Sequence, residues 1–193
     1  MEIEEEAGEK LVKLARTAVE NHFKNLKTEP PAEFSERRGV FVTIHKYPSM
    51  NLRGCIGFVE PIFPLGEAVI KAALNAAFND PRFLPLEQDE LEVVVFEVSI
   101  LSKPQLIEVE NPKEYLEKIK EGDGLILRKG LFSGVFLPQV WELIKGKEDF
   151  LNALCEKAGL PHGSWLDKDV KIYKFDVVAF AEERPYGKVR RVI

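Results

Sequence analysis

Cysteine is nearly absent from the 193-residue chain: Cys55 and Cys155 are the two present, with no CxxC pair and no histidine beside either. That scarcity excludes a disulfide framework and a zinc signature, and it reads as two free thiols of a reducing compartment. Long apolar runs are missing too. Stretches such as Leu91 to Ile100 are broken by Glu92, Glu97 and Ser99 and fall short of the roughly 20 residues a membrane helix needs. Basic excess is lacking: the net charge is −5, which opposes non-specific attachment to phosphate backbones and anionic lipid. The opening MEIEEEAGEK is acidic where a secretory signal would be basic and then apolar, so a cytoplasmic location is expected. Methionine is limited to two positions among abundant Glu and Lys, a thermophile-like usage.

What is present suffices for a folded core, since 45% of the residues are hydrophobic. Leu11, Leu14, Ala15, Ala18 and Val19 recur at helical spacing and predict an amphipathic helix over 4–27, stopped by Pro30 and Pro31. Alternation predicts a hairpin from strands over 39–46 and 52–59 about the turn YPSMN. An alanine-rich helix over 64–79 should lie close to its neighbours, and 91–101 should be a central strand buried on both faces. Asn111, Pro112 and Glu114 form a capping signature. Short strands over 125–128 and 131–137, a helix over 147–158 with Cys155 on its apolar face, a long strand over 171–182 and a tail over 184–193 complete the pattern. The predicted class is α+β with mostly antiparallel sheets in two lobes. The larger lobe takes 1–101 and 164–193 from both chain ends, and the smaller, 102–163, is inserted between them.

The segment NLRGCIG, Asn51 to Gly57, concentrates the chemistry. On a regular strand Leu52, Gly54, Ile56 and Phe58 share the core face and Arg53 and Cys55 share the other, roughly 6 to 7 Å apart. A guanidinium at that range favours the reactive thiolate, so a lowered Cys55 pKa is expected. Gly54 and Gly57 would leave room for a ligand or another backbone. The alternative is that Cys55 is a small buried hydrophobe, Arg53 a surface charge and the glycines bending points. Asp80 and Arg82, beside Phe83, either orient a polar ligand or staple a loop. Gln139, after Pro138, sits at an expected helix start where backbone N–H groups hold anions. His162, in a loop, is either a base for Cys55 or a solvent-facing residue. His22 and His45 read as structural.

LRGCIG followed in order by DPRFLPL (80–86), FLPQV (136–140) and FLNALCEKAGLP (150–161) resembles the AMMECR family, whose signature is LRGCIG. The resemblance spans nearly the whole chain. It implies an α+β fold of two lobes with the signature near their junction, and, for prokaryotic relatives, association with Memo-like and radical-SAM proteins. It implies no reaction; the sequence itself indicates no cofactor and no metal site, and the cofactor stays unknown. Members often carry Gly-Trp before the last helix, where this chain has Gly146 and Lys147.

Two functions compete on this sequence. In one, Cys55 is a nucleophile or redox thiol with Arg53 as partner, and Asp80 and Arg82 orient a ligand in an interlobe cleft. In the other, a binding or regulatory module, the same cleft grips a protein partner and Cys55 only packs; separately, Arg53 and Arg82 are expected to form a patch that prefers small anions although the chain is acidic overall. Nucleic-acid binding through Lys188 to Arg191 comes third, since that tail has no interleaved aromatics.

Overall fold

The computed structural model describes residues 3–193 and resolves into two compact units, the chain up to Leu101 with Val178–Ile193, and Ser102–Val177. The class is α+β, and the strands form two antiparallel sheets.

In the first unit, α1 (Glu5–Phe23), β1 (Val40–Lys46), β2 (Asn51–Phe58), α2 (Leu65–Phe78) and β3 (Val94–Leu101) precede the strands returning from the C-terminal part. The sheet order is β2-β1-β3-β8-β9, with β8 at Val177–Glu182 and β9 at Val189–Arg191. One sheet face is apolar: Val40, Val42 and Ile44 of β1 and Phe96, Val98 and Ile100 of β3 pack with Leu11, Ala15 and Val19 of α1 and the inner alanines of α2. Those alanines let α2 approach β2 so closely that a Cβ on Gly54 would lie 2.1 Å from the Ala76 carbonyl oxygen.

The second unit holds β4 (Gln105–Leu106), α3 (Tyr115–Lys118), β5 (Gly124–Lys129), β6 (Phe132–Phe136), α4 (Lys147–Lys157) and β7 (Lys171–Phe175), in the sheet order β4-β7-β5-β6. Its core joins Leu125, Leu127 and Ile172 to Phe150, Leu151, Leu154 and Cys155 of α4. Trp141 stacks on Phe150 at 3.7 Å. Asn111 and Glu114 make the expected reciprocal cap, and Cys155 is fully buried.

Four expectations on elements need correction. The first helix ends at Phe23 because Asn25 turns left-handed, with φ 54°, and the Leu26 N–H closes back on the Asn21 carbonyl. The strand expected from Leu91 starts at Val94: Gln88–Val93 is a 3₁₀ helix capped reciprocally by Glu87 and Glu90. The strand expected over 171–182 is two strands in different sheets. The break falls at Asp176, whose N–H donates to Ser102 Oγ and whose carbonyl accepts from the Ser102 N–H, both at 2.9 Å. Residues 164–177 therefore group with 102–163. The segment expected as a tail after Arg184 contains β9, paired to β8.

Candidate functional site

β2 is the edge strand of its sheet, and its register against β1 decides where the signature side chains go. Cys55 lies opposite Thr43 and Gly54 opposite Ile44, but His45 lies opposite Leu52, so Arg53 is the extra residue of a bulge. The bulge breaks the alternation expected of a regular strand. Leu52 is consequently 38% exposed rather than in the core.

Arg53 does not serve the thiol. Its guanidinium is bidentate on Glu90, with Nε to Oε1 at 2.8 Å and Nη2 to Oε2 at 2.7 Å, and it also donates to the carbonyls of Leu84 and Pro85. Every bond of Arg53 thus fastens the segment after α2 to the signature strand. The hydrogen bond to Glu90 raises the Arg53 pKa, and Glu90 is lowered in return.

Cys55 is half-buried, and its Sγ accepts from Thr43 Oγ1 at 3.3 Å. Burial raises the thiol pKa; the Thr43 hydrogen bond and the Arg82 charge oppose that rise without reversing it. The expected lowering by Arg53 is therefore corrected to a raised, neutral thiol. On a Cys155→Ala background, the rate of Cys55 alkylation against pH should inflect above the ordinary thiol value of about 8.5. Arg53→Ala should leave that inflection in place. An inflection below about 8 would return the thiol to the nucleophile class.

Asp80 and Arg82 act on the backbone of Cys55. The Cys55 N–H donates to Asp80 Oδ2 at 2.8 Å, and Arg82 Nη2 donates to the Cys55 carbonyl at 3.2 Å. These are the groups an edge strand leaves unpaired, so an acceptor and a donor from two side chains take the place of a neighbouring strand. Asp80 is 4% exposed. Its carboxylate also accepts from Arg82 Nε at 3.0 Å, from Arg82 Nη2 at 2.7 Å and from the Arg82 N–H at 3.1 Å. The Arg82 guanidinium, followed by the two backbone donors, holds the Asp80 carboxyl far below the usual carboxylate range.

Arg82 is the outward half of this pair. Its side chain is 53% exposed, and among the described residues Nη1 makes no hydrogen bond. It borders an open depression of about 530 Å³ lined also by Lys46, Asn51, Phe83, Leu84 and Glu87.

The remaining nominated residues are used otherwise. Gly54 admits α2, and a Cβ on Gly57 would meet the Val40 carbonyl at 2.2 Å and the Phe41 ring at 2.5 Å. Gln139 is exposed on a five-residue 3₁₀ helix, Pro138–Glu142, of the second unit. His162 is exposed, with Nε2 2.7 Å from Glu156 Oε1. Lys147 donates to the Leu116 carbonyl at 2.8 Å.

The sequence reading missed Thr43, Glu90 and Glu97. Thr43 is opposite both Cys55 and Glu97 in the sheet, so the three share the face turned away from the helices. Glu97 accepts from Ser99 Oγ at 3.3 Å and lies 3.7 Å from His45 Nε2, which raises the His45 pKa. The hairpin register would have found Thr43, had the bulge been legible.

Comparison with known proteins places these features in a family. The AMMECR1 family model matches residues 12–180. A protein of Thermococcus onnurineus (strain NA1) is 50% identical, covering 98% of this chain and 97% of that one. Protein PH0010 of Pyrococcus horikoshii is 49% identical over 98% of this chain and 96% of its own length. A crystal structure of PH0010, described as an uncharacterized protein, superposes with a TM-score of 0.88 over 98% of each chain at 50% identity. The chain belongs to the AMMECR1 family.

Proposed function

We propose that this AMMECR1-family chain is a binding module that takes a small anionic ligand at the edge of its signature strand, with Arg82 as the recognising cation and Cys55 as a neutral wall residue. The observation carrying this reading is the state of Arg82. Three of its N–H bonds are fixed by Asp80 and the Cys55 carbonyl, while Nη1 remains undonated on a side chain 53% exposed. A guanidinium held in place this way loses little entropy when a carboxylate or phosphate oxygen arrives. Lys46 lines the same depression and forms no ion pair among the described residues, so it adds a second cation. Phe83, Leu84 and Pro85 give the rim an apolar side, which suits an anion carried on a hydrophobic group. Thiol-dependent chemistry is the weaker alternative, because burial keeps Cys55 protonated and Arg53 is spent on Glu90.

Thermal shift and calorimetry with inorganic phosphate, pyrophosphate, citrate and phenylacetate test the reading. The wild type should gain stability on titration with at least one of these, as any ligand specific to the folded state requires. Arg82→Ala should abolish the gain, and Lys46→Ala should weaken it. Arg53→Ala should lower the starting melting temperature yet keep the ligand response. A wild type indifferent to all four anions, or a response surviving in Arg82→Ala, would overturn the assignment.

A further inference from the structure

The charges around the Arg82 depression do not make a purely cationic site. Arg82 is paired with Asp80 and Arg53 with Glu90, each at 2.7 Å. That leaves two charged residues of the lining, Lys46 and Glu87, both exposed and neither in an ion pair among the described residues. Glu87 is held in place by the reciprocal cap: its side chain accepts from the Glu90 N–H, while its own N–H donates to Glu90 Oε2 at 3.0 Å. The depression thus offers one uncommitted charge of each sign. Its apolar side is equally fixed. Leu84 is 84% exposed although its carbonyl accepts from Arg53 Nη1 at 3.0 Å, and the neighbouring Phe83 and Leu86 N–H groups donate to the Asp80 and Ala77 carbonyls at 3.1 and 2.7 Å. Leu52, turned outward beside the bulge, is the second leucine of the lining. Large apolar side chains displayed on firmly bonded backbone, beside fixed charges, are the lining of a ligand site.

We infer that the ligand of this depression is a zwitterion with an apolar side chain, the chemistry of a hydrophobic amino acid or a short peptide. The inference rests on the anion reading above, in which a carboxylate takes Arg82 Nη1 and Lys46. It adds Glu87 as the acceptor of an ammonium group, and Leu52 and Leu84 as the contacts of the side chain. A simple anion gains from Arg82 and Lys46 but meets Glu87 as a like charge. An ammonium on the same molecule turns that repulsion into a further charge-assisted hydrogen bond, so the site discriminates between the two ligands. Because Arg82 and Glu87 are each already tied to their own segment, neither has to be ordered on binding.

Calorimetry on the full chain tests the inference with phenylalanine, with phenylpropanoate, which lacks the ammonium, with phenethylamine, which lacks the carboxylate, and with the dipeptide leucyl-phenylalanine. The charges of the dipeptide lie one residue, roughly 3.5 Å, further apart. The wild type should bind phenylalanine or the dipeptide about tenfold more tightly than phenylpropanoate, the gain expected of one charge-assisted hydrogen bond, and phenethylamine most weakly. Whichever zwitterion binds more tightly assigns the source, free amino acid or peptide. Glu87→Gln keeps the cap, because the Gln carbonyl still accepts from the Glu90 N–H. It should remove the tenfold advantage while phenylpropanoate binds at least as well as before. Leu84→Ala should weaken both. No advantage of either zwitterion over phenylpropanoate, an advantage that survives in Glu87→Gln, or full affinity in Leu84→Ala would overturn the inference and leave the anion reading standing. A wild type that binds no carboxylate at all would overturn both.

Discussion

Arg16→Ala should cost about 3–5 kcal/mol of stability, the range for breaking a buried ion pair from one side. Arg16 is 5% exposed and Glu182 6% exposed. Both Arg16 Nε and Nη2 donate to the Glu182 carboxylate at 2.6 Å, and the same guanidinium donates to the carbonyls of Leu91 and Val94 at 3.1 and 2.7 Å. Glu182 further accepts from the Phe96 N–H at 2.9 Å, and the Tyr186 ring lies 4.1 Å from the guanidinium carbon. One ion pair therefore joins α1, the turn before β3, β3 itself and β8. Truncation would leave a carboxylate buried with one backbone donor and two carbonyls without partners. Urea midpoints measure the loss, and an unchanged m-value would show that the unfolded state is unaltered. Pairing Arg16→Met with Glu182→Gln should recover more than half of it, because Gln can still accept from Phe96 while the uncompensated charge is gone. A loss below about 1 kcal/mol in Arg16→Ala would class the pair with exposed salt bridges.

This network also marks the limit of what periodicity reveals. The apolar stripe of α1 was readable because helical spacing alone fixes which residues share a face, and Leu11, Ala15 and Val19 are all fully buried. Arg16 lies beside that stripe, and its partner is 166 positions away, which spacing cannot supply. The same distinction runs through the signature. That LRGCIG lies on a strand, paired in a hairpin and accompanied by Asp80 and Arg82, followed from alternation, turn residues and family motifs. The bulge at Arg53 did not, and one inserted residue was enough to move Leu52 out of the core and Arg53 away from the thiol. Gly54 and Gly57 were legible as places of close approach. The approaching groups, the α2 backbone and the Phe41 ring, depend on packing that composition does not encode. The split at Asp176 was likewise hidden, since Lys171 to Glu182 is continuous in hydrophobic character and only the two sheets decide where it divides.

Asp80→Ala is expected to be the most damaging change at the candidate site, at about 3 kcal/mol, the upper part of the ordinary range for single substitutions. The carboxylate accepts from the Cys55 N–H, the Arg82 N–H and two guanidinium nitrogens, and its side chain is 2% exposed. Removing it strands the Cys55 N–H on an edge strand and releases Arg82 from the position in which it borders the depression. Its pH dependence has a definite sign. The folded carboxyl titrates far below its ordinary value, chiefly because of Arg82, so its contribution is complete above the unfolded value of about 3.9 and is lost as pH falls from there toward the folded one. The gap between wild type and Asp80→Ala should accordingly be constant from pH 5 to 7 and narrow by roughly 1 kcal/mol at pH 3. Asp80→Asn separates the two roles, since its oxygen can still accept from Cys55 while its amide presents donors to Arg82. It should recover part of the stability but bind anions about tenfold more weakly than wild type, a penalty of about 1.4 kcal/mol. Anion affinity equal to wild type in Asp80→Asn would mean that the orientation of Arg82 does not matter to the ligand. A stability gap that widened below pH 4 would show that this carboxyl titrates above, not below, its ordinary range.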